Sequence, residues 1–195
     1  NPLSLIFFPI FVIWCVLVLI TGNNIRAKTI LGLVTSSVLG FGLAAFFILP
    51  AIAEKSFAHT ETMLGGYFDY RQHFVNLQQL FFSNHFGYGS SVWGPYSDLS
   101  LSTGIIHWVL GIVSVIVAVI TFRRNKHLSL VVLVLGILEL FVLFMIHEKS
   151  SFIWTLIPIL AYLQFPWRFL SLSIFLLSIM SAIGLYLIRN NKYRL

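Results

Sequence analysis

EKSFAHTETMLGGYFDYRQHFVNLQQLFFSNHFGYGSSVWGPYSDLSLS, residues 54–102, is the stretch whose reading decides the fold. It is the one long run that does not read as lipid-soluble, and the residues on both sides of it read as membrane helix. The chain is therefore expected to be a bundle of spans holding one polar, aromatic loop against a membrane face. Inside the loop, Tyr70, Phe74, Leu77 and Phe81 recur at helical spacing. Asp69, Gln72, Asn76, Gln79 and Ser83 recur on another face. That pattern predicts one amphipathic helix over 67–83, lying in the interface. The following NHFGYGSSVWGPYSD, 84–98, sets Gly87, Gly89, Gly94 and Pro95 among four aromatics and predicts a turn-rich loop.

Composition agrees with that reading. Hydrophobic residues make up 58% of the 195, and charged residues 9%. Soluble domains carry about 25% charged residues. The net charge of +6 is spread over short basic clusters between apolar runs, the pattern of topology signals rather than of a nucleic-acid surface. No nucleic-acid partner is expected. Cys15 is the single cysteine and lies in an apolar run, so it reads as a packing residue and no intrachain disulfide is possible.

The expected fold is all-α: a single membrane domain over 1–195 with about five spans, at 3–20, 30–53, 103–122, 128–146 and 169–188. Pro9 predicts a kink in the first span, and Pro50 bends the last turn of the second. Gly32, Ser36, Ser37, Gly40, Gly42, Ala44 and Ala45 make the second span a candidate for close helix approach. The apolar run 152–163 is too short to span and is broken by Pro158, so 152–168 reads as a re-entrant or interfacial segment. The chain begins Asn1-Pro2 without Met, and its first apolar run starts at once. The expectation is the C-terminal part of a longer protein.

Charge sets orientation. The links at 21–29, 123–127 and 189–195 carry two, three and three Lys or Arg and no acid. Segments 54–102 and 147–168 hold four basic residues against five acids. The positive-inside rule then places both polar segments outside the cell membrane and the C-terminus in the cytoplasm.

Several constellations carry possible chemistry. Asp69 and His73 would share a helical face at i, i+4, so the carboxylate would orient the imidazole; the plainer reading is a solvated polar face. His59, His73 and His85 have spacings that fit no compact metal motif, so no metal ligand set is assigned. Glu139 sits mid-span, where a charge is costly, and is expected to face the bundle interior, hydrogen-bonded to another span. Tyr88, Trp93 and Tyr96 suit a sugar ring, or simply an interfacial aromatic belt. Gln164-Phe165-Pro166-Trp167-Arg168 lies where a short helix meets the last span. Pro166 sets the break, and the guanidinium of Arg168 presents a fork of donors suited to phosphate.

LPAIAEKS, YFDYRQHFVNLQQLFFS, GYGSSVWGP and LQFPWRFL together make the chain resemble bacterial multi-pass proteins described as "6-pyruvoyl-tetrahydropterin synthase-related domain; membrane protein". The resemblance runs from about Phe46 to the C-terminus. That family is similar to GT-C glycosyltransferases, which take a sugar from a polyprenyl-phosphate donor at the outer membrane face. Pterin chemistry is not implied, because it needs a soluble fold and a zinc-binding His cluster. The resemblance implies a donor phosphate at Arg168, with Arg71 as a second ligand. It implies acceptor or sugar contacts at Glu54, Asp69, His73, Trp93, Asp98, Gln164 and Trp167. The catalytic carboxylate of such enzymes usually sits in the first outer loop, and no residue here matches it. No cofactor is identified, and a divalent metal is possible without support from these residues. A transporter or flippase subunit and a non-catalytic envelope-assembly scaffold are the competing classes.

Overall fold

The computed structural model describes residues 3–21, 27–57, 59, 62, 64–83, 85–92 and 97–192. Among them there are helices and turns and no strand. The α-helices are α1 (Leu3–Thr21), α2 (Ala27–Ala53), α3 (Leu77–Phe82), α4 (Ile105–Thr121), α5 (Lys126–Ile146), α6 (Ser151–Leu156) and α7 (Phe169–Lys192). Three helical stretches, Ala27–Ala53, Lys126–Ile146 and Pro166–Arg189, are long and apolar enough to cross a membrane. Two shorter apolar ones, Ile6–Leu17 and Ile105–Thr121, accompany them. Their outward surfaces are greasy: Leu43 is 78% and Phe46 82% exposed on α2, a surface suited to lipid and not to water.

The core is a three-helix bundle of α4, α5 and α7. Small residues set its spacing. Gly111, Ser114, Ala118 and Thr121 form the buried stripe of α4. A Cβ added to Gly184 of α7 would collide with Ser114, and one added to Gly111 would collide with Leu177. Backbones this close gain dispersion contacts, the main attraction between helices where lipid is as apolar as leucine. At the far end the hydroxyls of Thr121 and Ser129 tie α4 to α5 at 3.3 Å.

The close approach expected of the second span is thus found elsewhere. Gly32, Gly40 and Gly42 have no atom within 4 Å of an added Cβ, and α2 buries none of its residues. Small residues permit close packing, but a facing helix must be present to use it. Phe7 of α1 meets Phe175 of α7 edge-on at 6.1 Å, and Phe8 meets Phe41 of α2 at 6.3 Å.

Both polar segments gather at one end of the core, where α4 begins, α5 ends and α7 begins. Trp154, 1% exposed, is the hub. Its indole donates to the Met145 carbonyl at 3.2 Å. Its ring stacks on Tyr70 at 5.1 Å and meets Phe74 and Phe169 edge-on. The Val75 amide donates to Ile146 at 3.1 Å, and Thr103 donates from its amide and its hydroxyl to Leu80.

The helix expected over 67–83 is not continuous. The chain makes 3-10 turns at Gly66–Phe68 and Tyr70–Gln72, runs without helix through 73–76, and turns α-helical only over Leu77–Phe82. Two side chains account for the breaks. Asp69 accepts the Arg71 amide at 3.0 Å, and Asn76 accepts the Gln79 amide at 2.8 Å while Gln79 reaches back to the Asn76 amide. Short polar side chains that bond the backbone locally compete with helix propagation and start new helices instead. Leu77 is consequently exposed while Tyr70 and Phe74 are buried under Trp154.

Candidate functional site

The chain from Leu163 to Arg168 is held in an unusual shape. Gln164 has φ +61, in the half of conformational space that side chains with a Cβ rarely visit, and it is 8% exposed. Such a residue costs on the order of 1–3 kcal/mol and persists only where its surroundings impose it. Pro166 then opens a 3-10 turn, Pro166–Arg168, that leads into α7. The sharp bend lets one carbonyl, that of Leu163, accept both the Phe165 amide at 2.6 Å and Nη1 of Arg168 at 2.8 Å.

Arg168 is therefore fixed from two sides. Its backbone-bound Nη1 is one anchor. The face of Phe165, 4.9 Å from Cζ, is the other, a cation–π contact. A guanidinium has five N–H donors. One is bonded here, and among the described residues no carboxylate pairs with the rest.

Phe165 and Trp167 stack at 5.3 Å, and they join this turn to the long loop. Trp167 Nε1 donates to Ser91 Oγ at 3.0 Å, and the Ser91 hydroxyl lies 2.8 Å from His73 Nδ1. His73 Nε2 bonds the Tyr67 carbonyl, and the Tyr67 hydroxyl accepts the Ser91 amide at 3.0 Å. A carbonyl only accepts, so Nε2 carries a proton. In the neutral ring Nδ1 is then the acceptor, so Ser91 gives its proton to Nδ1 and receives that of Trp167. His73 and Ser91 are 1% and 2% exposed, so the bond between them is buried, while Tyr67 and Trp167 reach from it toward the surface. Phe165 closes it by meeting His73 edge-on at 4.7 Å and Tyr67 at 6.0 Å.

These contacts correct one expectation. Asp69 does not orient His73. Both imidazole nitrogens are engaged by Ser91 and Tyr67, and the Asp69 carboxylate caps its own turn and pairs with Arg71 at 3.7 Å. The helical spacing that would have joined them does not exist. His73 positions Ser91 and Trp167, with no ring nitrogen left to move a substrate proton.

The other expected residues fall as follows. Gln164, Trp167, Arg168 and His73 are brought together by the turn and the network. Arg71 is 67% exposed over the Tyr70 ring, and no contact joins it to Arg168 among the described residues. Asp98 is exposed on the loop, where Oδ2 accepts Ser90 Oγ at 3.3 Å and its carbonyl bonds His85 Nε2 at 3.2 Å. Gly87 and Gly89 are required there, since a Cβ on either would strike Asp98. Glu54 is exposed just past α2 with no side-chain partner among the described residues. Trp93 and Tyr96 lie outside the described residues, and Tyr88 is fully exposed. Among the described residues no three His, Cys, Asp or Glu side chains gather at metal-binding range.

Glu139 is where its mid-span position predicted. It is 5% exposed, faces the core, and accepts the Ser173 hydroxyl of α7 at Oε1. Tyr67, Ser91 and Phe165 were not singled out in the sequence. Ser91 bridges 18 residues to His73 and 76 to Trp167, and no local spacing signals either contact.

Fold and site together define, among the described residues, an all-α protein with three helices long and apolar enough to cross a membrane and a polar cap at one end of the bundle. No family model, no curated protein and no solved structure matches the chain.

Proposed function

We propose that the cap binds the phosphate of a polyprenyl-linked sugar donor through Arg168, and that the chain is part of a GT-C-like membrane glycosyltransferase acting in cell-envelope glycan assembly. The observation that carries this reading is Arg168 itself: a guanidinium clamped by the Leu163 carbonyl and the Phe165 ring, with donors left over, at the mouth of a membrane helix. A fixed planar fork suits a phosphate oxygen pair better than a mobile ammonium does. An isoprenoid phosphate would also bring its own apolar anchor to a bundle walled by apolar helices.

In this reading the chain has five spans, with the cap extracytoplasmic and the C-terminus cytoplasmic. Exposed Asp98 and Arg71 are available to sugar hydroxyls on the same cap. The transfer step needs a carboxylate to activate the acceptor hydroxyl, and no residue is assigned to it. The transporter alternative asks for a span broken at its charged group. α5 runs unbroken from Lys126 to Ile146 across Glu139, which weighs against it.

The test is transfer of label from a radiolabelled polyprenyl-phosphate sugar by the membrane-reconstituted full-length protein. Label moving to an acceptor glycan, and falling at least tenfold in Arg168→Lys, supports the reading. Donor that binds and stays intact with every acceptor offered removes the transferase.

A further inference from the structure

The end of the bundle opposite the cap gathers positive charge. There α4 ends, α5 begins and α7 ends. Arg123, Arg124 and Lys126 stand in the turn between α4 and α5, all exposed. Arg189 is exposed on the last turns of α7. Gly184 of α7 packs against Ser114 of α4. At about 1.5 Å per residue from that contact, Arg189 lies about 7.5 Å further along α7 and Thr121 about 10.5 Å further along α4. The fold thus brings cations 63 and more positions apart in sequence to within about one helical turn of the same level.

No acid balances them from the neighbouring chain. The sequence has no Asp or Glu between Asp98 and Glu139, and none after Glu148. Asp98 and Glu148 belong to the cap, and Glu139 is mid-span and bonded to Ser173. The side chains of Arg123 and Lys126 have no hydrogen bond or ion pair among the described residues. Lys126 also opens α5 with no acid in its first turn, at the end of a helix dipole that favours an anion. The backbone holds these charges together. The Thr121 carbonyl accepts the amides of both Arg124 and Asn125 at 2.9 Å, and the buried Thr121 and Ser129 hydroxyls meet beneath the turn. Like charges held this close repel one another, and an anion from outside the chain relieves them.

The surroundings select which anion. Lys126 opens and Arg189 closes two of the stretches long and apolar enough to cross a membrane, so the cations stand where those helices would leave lipid. Immediately inward, Val119, Ile120 and Leu185 are 60%, 73% and 59% exposed. A dissolved phosphate would meet the cations alone. A phospholipid meets the cations with its phosphate and these side chains with its acyl chains. We infer that this end of the bundle binds the headgroup of an anionic phospholipid, with the phosphate on Arg123 and Lys126 and with Arg189 adding to the attracting field. The site needs a bilayer around the bundle, but it depends neither on Arg168 nor on which side of the membrane the cap occupies.

The test offers phosphatidylglycerol and phosphatidylcholine of equal chain length together to the full chain in neutral-detergent micelles, and counts the retained lipids by native mass spectrometry. A micelle has no sides, so an inverted topology cannot imitate the result. The unaltered chain should retain phosphatidylglycerol in preference. Each Lys or Arg near a charged lipid surface is worth roughly fivefold in binding, so the double variant Arg123→Gln, Lys126→Gln should lower the preference on the order of 25-fold. Arg168→Ala should keep it, which separates this site from the cap. Raising salt from about 0.1 to about 1 M shortens the screening length from about 10 to about 3 Å and should release the lipid from the unaltered chain, an arm that needs no variant to fold. Equal retention of the two lipids by the unaltered chain overturns the inference, as does a preference that survives in the double variant, survives at high salt, or disappears in Arg168→Ala alone. Displacement of the lipid by inorganic phosphate at equal concentration overturns it too, by making the site one for a dissolved anion.

Discussion

Ser91→Ala removes one oxygen and strips one buried and one partly buried group of their partner. Trp167 Nε1 loses its acceptor at 3.0 Å and His73 Nδ1 loses its donor at 2.8 Å. Ser91 and His73 are 2% and 1% exposed, so water does not readily replace the hydroxyl. Each stranded group costs about 1–3 kcal/mol, giving roughly 2–6 kcal/mol for the pair. At about 2–4 °C per kcal/mol for a chain of this size, Tm should fall by roughly 4–24 °C. The control is the neighbouring Ser90→Ala. Its hydroxyl is exposed and makes a 3.3 Å bond to Asp98, so its loss should cost less than about 0.5 kcal/mol. Thermal unfolding of both variants in nanodiscs, followed by tryptophan fluorescence, separates them, and the environment of Trp167 is itself one of the reporters. Equal Tm values for Ser90→Ala and Ser91→Ala would refute the claim that this network fastens the loop to the turn before α7.

Three further outcomes are expected. Gly184→Ala places a Cβ against Ser114 and should cost about 1–3 kcal/mol in thermal stability, whereas Gly40→Ala meets nothing and should be neutral; equal effects would contradict the packing of α4 on α7. Ser173→Ala leaves both Glu139 oxygens without a partner and should cost about 1 kcal/mol, near the average for hydrogen bonds between membrane helices; an unchanged Tm means the bond contributes nothing. Under the proposed topology, Tyr88→Cys should react with an impermeant maleimide applied outside cells and Arg123→Cys should not, and the reverse pattern inverts the orientation.

Helix identity was legible because long apolar runs leave few alternatives. The described helices begin or end within about three residues of the expected spans, α7 at its C-terminal end excepted. The mid-span carboxyl was legible for the same reason: a group that is costly in lipid must turn inward, and Ser173 receives it. The breaks in 67–83 were readable in principle, since Asn76 and Gln79 spell a capping box, but the apolar period over Tyr70, Phe74, Leu77 and Phe81 outweighed it. Ser91 and Phe165 carried no signal, because their roles depend on contacts between chain segments far apart in sequence. Gln164 likewise gave no hint of its positive φ, which the surrounding contacts impose.

Equilibrium binding of polyprenyl phosphate, without sugar, to the reconstituted protein tests the central claim most directly. Wild type, Arg168→Lys and Arg168→Ala are compared in nanodiscs of neutral lipid, after each variant is shown to unfold at its normal temperature. One charge-assisted hydrogen bond is worth about 1.5–3 kcal/mol, so Arg168→Lys should weaken binding roughly tenfold or more although the charge is kept, and Arg168→Ala further still. Wild-type affinity in a well-folded Arg168→Ala would contradict the claim and leave Arg168 as an anchor of the turn alone.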